Sequence, residues 1–98
     1  MRFKVIVEKR ALNDLSNAFE YYNEQKSGLG KTFIKAANLC FAELSKNPFY
    51  QVRYDSVRCV PLSKFPFMVH FKADEKSKTV QVFAVIHTSL NPETKWLI

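Results

Sequence analysis

Arg58, Lys64 and His87, with Arg53 nearby, are the residues of this chain whose types could act together on a phosphate. Arginine offers planar paired donors, lysine a mobile point charge, and histidine a group that exchanges a proton near neutral pH. Cleaving RNA needs those elements: a base for the 2′-hydroxyl, cations for charge developing on phosphorus, and an acid for the leaving oxygen. Arg58, Lys64 and His87 are therefore the candidate catalytic residues, and Arg53, Arg58 and Lys64 the candidate nucleic-acid contacts. On spacing alone, solvated surface cations are the commoner outcome. Other chemistries lack their motifs. The sequence holds no phosphate-binding glycine loop, no nucleophile elbow and no histidine pair at metal spacing, so neither a metal nor a cofactor is expected.

These side chains need a scaffold, and the stretch from Arg58 to Leu90 supplies it. Phe65 to Ala73 and Thr79 to Thr88 are rich in Phe, Val and Ile, and the polar connector Asp74-Glu75-Lys76-Ser77-Lys78 separates them, which predicts a β-hairpin. In the second run both alternating sets, Val80-Val82-Ala84-Ile86 and Phe83-Val85, are apolar. That pattern predicts a central strand covered on both faces, with His87, Thr88 and Ser89 delivered to the surface at its end.

Upstream, Phe3 to Val7 reads as a short strand. From Ala11 the period changes: Leu12, Leu15, Ala18, Phe19 and Tyr22 recur at three and four residues, predicting a helix that ends near Ser27-Gly28 with a left-handed glycine cap. The short connector Lys26 to Gly30 brings a second helix back antiparallel, from Lys31 to about Lys46, with Phe33, Ala36, Ala37, Cys40, Phe41 and Leu44 on one stripe. Asn47-Pro48 stops it. Phe49, Tyr50 and Val52 continue extended, Val57 to Leu62 is another strand, and Pro61 and Pro66 mark a strand end, bulge or edge. Asn91-Pro92 looks like a helix start, and Trp96-Leu97-Ile98 an apolar anchor. The whole, 1–98, reads as one α+β domain: an N-terminal strand and an antiparallel helical hairpin packed on a mainly antiparallel sheet.

Composition sets the class. With 47% hydrophobic residues in 98, one core can form without staples. Cys40 and Cys59 fit no metal spacing and read as buried thiols in a reducing cytoplasm. No secretory leader and no apolar run long enough to span a membrane are present, so a soluble cytoplasmic protein is expected. The net charge of +6 favours a polyanion or an acidic protein partner. His70 reads as a partly covered strand histidine, and Tyr21, Tyr22, Tyr50 and Tyr54 as residues that close a core margin rather than stack on bases.

The order of elements, together with Ala11-x-x-Asp14-Leu15, Tyr21-Tyr22, Gly28-x-Gly30, Asn47-Pro48, Arg58 before Phe65-Pro66-Phe67, and Val85-Ile86-His87-Thr88-Ser89-x-Asn91-Pro92 with Trp96, resembles the RelE/ParE toxins of bacterial type II toxin-antitoxin modules. The resemblance covers essentially the whole chain. It implies a compact toxin neutralised by a cognate antitoxin segment folded across its surface, and either of two activities. RelE-like members cut messenger RNA on the ribosome with clustered basic residues, whereas ParE-like members poison DNA gyrase. Leu90 stands where many relatives carry arginine after His-Thr-Ser, and Phe67 where the best-known ribonucleases have arginine entering a strand. Both departures favour the ParE-like activity over an efficient ribonuclease, with Arg58, Lys64 and His87 keeping the ribonuclease open. A toxin fold that has lost its poison and persists as a binding partner is the third expectation.

Overall fold

The computed structural model describes residues 2–88. Among them β1 (Lys4–Val7) leads into α1 (Lys9–Gln25) and α2 (Leu29–Lys46), followed by β2 (Val52–Tyr54), β3 (Val57–Pro61), β4 (Phe67–Asp74) and β5 (Thr79–His87). The predicted α+β arrangement is present. Both helices begin two residues before the expected starts, at Lys9 rather than Ala11 and at Leu29 rather than Lys31, because first-turn N–H groups need no helical acceptor and Lys9-Arg10 and Leu29-Gly30 precede the apolar repeat. The readings of Ser89, Leu90, the Asn91-Pro92 helix start and the Trp96 anchor fall outside the described residues.

The glycines do different work from that expected. α1 ends at Gln25 with Lys26 extended, and the left-handed residue is Gly28, at φ 87° on the entrance to α2. Gly30 is needed for space. A Cβ there would lie 2.7 Å from the Phe19 carbonyl oxygen and 2.8 Å from the Asn23 side chain, whose Oδ1 accepts the Gly30 N–H. That close approach seals the helical hairpin.

The strands form one sheet in the order β1-β5-β4-β3-β2, with β1 parallel to β5 and every other pair antiparallel. β5 lies inside the sheet, as predicted, but the helices cover one face alone. A bulge accounts for its two apolar sets: His70 pairs with Ala84 and Phe71 with Val82, so Phe83 is an extra residue and the side-chain parity reverses there. Val80 and Val82 before the bulge and Val85 after it all join the helix-side core. On the other face Gln81 is exposed and Phe83 half-buried.

Ala11, Leu15 and Ala18 of α1 and Phe33, Ala37 and Leu44 of α2 meet Val60, Val69, Phe71 and those valines in one core. Tyr22, Phe33, Phe65 and Phe67 close its end with ring centroids 5.0 to 6.2 Å apart, the edge-to-face spacing that aromatic quadrupoles favour. Phe67 thus serves packing, where a cation would meet three rings. Among the described residues no helix is long and apolar enough to cross a membrane.

Candidate functional site

The sheet divides the four residues named from the sequence. Arg58 pairs with Phe71 and therefore lies on the helix-covered face. There its guanidinium sits 5.5 Å from the Phe49 ring centroid and Nη1 donates to the Tyr50 carbonyl, pinning the turn that follows α2. Arg53 lies on the opposite side of the β2–β3 hairpin, where its charge reaches the Cys59 thiol. Lys64 occupies the exposed β3–β4 loop at φ 70°, a loop closed by the Leu62 N–H donating to the Phe67 carbonyl. His87 ends β5 opposite Phe67, ring centroids 5.1 Å apart, and the next N–H, of Thr88, donates to the Pro66 carbonyl.

Lys64 and His87 share one end of the sheet. Arg58 does not join them. It stands two strands across from His87 and four residues along β4, a separation of about 16 Å between Cα atoms at ordinary strand spacings. Val60, Val69 and Val85 fill the core between the two.

The open face holds a different group, one that sequence spacing did not suggest. A hollow of about 430 Å³ is walled by Glu8 and Arg10 at the start of α1, Tyr54 and Asp55 from the β2–β3 turn, and Lys72 and Gln81, over apolar Val57 and Phe83. Beneath it the Tyr54 hydroxyl and His70 Nδ1 share a 3.0 Å hydrogen bond, with the Cys59 Sγ 3.5 Å from the same nitrogen. His70 is wholly buried rather than partly covered, because Tyr54 and Phe83 pack against its ring from either side. Register alone could not show this. It required the β2 hairpin to bring Tyr54 over β4.

Burial sets the protonation of this group. It pulls His70 down to about 4, helped by the Arg10 charge, so the ring is neutral at pH 7. It also pushes the Cys59 thiol up to about 11, against the opposing charge of Arg53, and raises Tyr54. Each of the three groups is therefore held toward its neutral form near neutral pH. Among the described residues no three His, Cys, Asp or Glu side chains gather as metal ligands. The hollow sets two cationic and two acidic side chains beside Tyr54 and Phe83.

Neither a family model nor a curated protein matches the sequence. Solved structures do match in shape. A chain of the chromosomal ParDE TA system from P. aeruginosa superposes with a TM-score of 0.77 at 14% identity, over 87% of this chain and 95% of that one. The intact E. coli RelBE toxin-antitoxin complex gives 0.66 at 15% identity, over 87% and 95%. The isolated E. coli RelE toxin gives 0.65 at 12% identity, over 97% and 94%. At such identities the shared property is architecture, and with its parallel β1–β5 pair, helical hairpin and antiparallel meander this chain has the RelE/ParE toxin fold.

Proposed function

We propose that this chain is the toxin of a type II toxin-antitoxin pair, held inactive by a cognate antitoxin and acting by binding its target, in the manner of the ParE-like, gyrase-directed members. The carrying observation is the separation of Arg58 from His87 across the helix-side core, which leaves the ribonuclease constellation without a common cleft. Two further points support the reading. Phe67 is committed to the aromatic cluster, and the open-face hollow sets Glu8 and Asp55 beside its cations, which opposes an RNA backbone. The net charge of +6 suits an acidic antitoxin.

Lys64 and His87, at one end of the sheet, favour a second reading, a RelE-like ribosome-dependent cleavage of messenger RNA using those two residues. Induction of the chain alone in bacteria, with bulk translation and DNA supercoiling followed in parallel, separates the two. Arrest with supercoiling lost first and messages intact is expected. An early fall in translation with cut messages would reverse the order of preference, and harmless over-expression of folded protein would remove both. Relief of arrest by the product of the adjoining reading frame tests the antitoxin.

A further inference from the structure

The β2–β3 hairpin is lightly held. β2 has three residues, its register against β3 shifts between Val52 and Tyr54, and Gln51, Val52, Arg53, Asp55 and Ser56 are all exposed. The turn adds strain. Asp55 at φ 41° and Ser56 at φ 67° are both left-handed without being glycine, where two-residue hairpin turns favour Asn-Gly or Gly-Gly because a Cβ opposes that backbone. Before this segment the Arg58 guanidinium fixes the chain, donating to the Tyr50 carbonyl beside the Phe49 ring. Within it Tyr54 alone is half-buried, and its hydroxyl meets His70 Nδ1 at 3.0 Å. The stretch 51–56 thus has a fixed root, a strained turn and one latch.

The latch covers a group that acid changes. The His70 ring is wholly buried between Tyr54 and Phe83, with the Cys59 thiol of β3 at 3.5 Å and the Arg10 charge of α1 bearing on it. Arg53 and Asp55, on the hairpin itself, act on Cys59 and Tyr54, and Glu8 and Lys72 line the hollow above. A proton on the ring is opposed by burial first and by Arg10 second. Lifting Tyr54 admits water, which solvates the imidazolium and screens Arg10.

We propose that the stretch 51–56 is a flap that acid releases, swinging from Tyr50 and taking Tyr54 and Asp55 out of the wall of the open-face hollow. Its release makes β3 the edge of the sheet and uncovers Cys59 and His70. The hollow is complete at neutral pH and dismantled in acid, whatever the chain's target. The sign follows from His70. Closed, the ring titrates at about 4, and uncovered it returns toward 6.5, so the open form binds the extra proton and gains population as pH falls between those limits. From pH 7 to pH 4.5 that gain is on the order of fiftyfold.

Hydrogen exchange of the full chain, read by mass spectrometry at pH 7 and pH 4.5 and corrected for intrinsic rates, tests the flap. Amides of β2 should lose protection on the order of fiftyfold in acid, while those of β4 and β5 stay more protected at both values. Tyr54→Phe keeps the ring and removes the latch, and should lower β2 protection at pH 7 about fivefold, the scale of one neutral hydrogen bond. It should retain the pH response, which His70→Gln should abolish. Equal β2 protection at both pH values overturns the proposal. So does exchange of β2 in step with β4 and β5, since His70 would then be uncovered only by global unfolding. Full protection in Tyr54→Phe overturns it by removing the latch, and an undiminished pH response in His70→Gln by assigning the effect to other groups. Where His70→Gln does not fold, the parent and Tyr54→Phe decide the matter alone.

Discussion

The backbone N–H of Val85 on β5 donates to the carboxylate of Asp14 on α1 at 2.9 Å. The bond exists because β1 is short. It stops at Val7, opposite Val82, so beyond that point the β1 side of β5 has no strand to receive its donors. α1 crosses there and supplies an acceptor from a side chain, as a half-buried backbone donor requires.

Asp14→Ala should therefore destabilise the fold by about 1–3 kcal/mol, the cost of leaving a buried donor without its charged acceptor. Asp14→Asn, which keeps an oxygen in place, should lose less. Urea unfolding of the three proteins measures the difference, and an Ala variant as stable as the parent would show that water replaces the carboxylate.

Acid should weaken the molecule through His70. Its folded value, about 4, lies below the ordinary 6.5, so between those limits the unfolded chain binds the extra proton and stability falls as pH falls. The contribution is complete above about pH 6.5 and declines toward pH 4 by up to about 1.4 kcal/mol per unit. Arg10, Cys59 and Tyr54 are the charged or titrating groups bearing on the ring. His70→Gln should flatten this limb in melts recorded across the range, at some cost in stability at pH 7. An unchanged slope would assign it to carboxylates instead.

Arg58 and His87 should behave as independent sites. At about 16 Å, Arg58→Ala and His87→Ala should add in a double-mutant cycle to within about 0.5 kcal/mol of stability. The same pair offers a reading of toxicity. If both served one reaction, the double variant would be no more impaired than either single, because parts of one catalytic unit fail together. Arrest titrated against induction level distinguishes the cases.

Gly28 and Gly30 should respond to opposite substitutions. Gly28 has open space but a left-handed backbone, so Gly28→Asn should be tolerated and Gly28→Val should cost about 1–2 kcal/mol. Gly30 has no room, and Gly30→Ala should force α1 from α2 and cost at least about 1–3 kcal/mol, as overpacking does. Thermal unfolding ranks the variants, and equal tolerance at both positions would refute the steric account of Gly30.

The helical hairpin and the β4–β5 hairpin were legible because period and turn chemistry are local. The α+β class followed from their order. The faces of the sheet were not legible in the same way. Val80, Val82 and Val85 look like residues of two faces, and only the bulge at Phe83 puts them on one. The same limit applies to Arg58 and His87: both were named as candidates for one phosphate, but their distance depends on register across three strands. Tyr54 and His70 lie sixteen residues apart and meet through a fold-back of three-residue β2. No periodic signal marks such a meeting.

The pairing of Lys4 with Thr79 has a consequence for synthesis. A ribosome releases β1 before β5, and its partner position Thr79 is made 75 residues after Lys4. Until then α1 and α2 can fold back on each other but have no sheet to cover, and Phe33 and Leu44 stay wet. Translation interrupted before β5 therefore yields no partial version of this sheet. Assembly of the sheet is gated by the arrival of β5, and anything that recognises the folded sheet meets it only after that strand has been made.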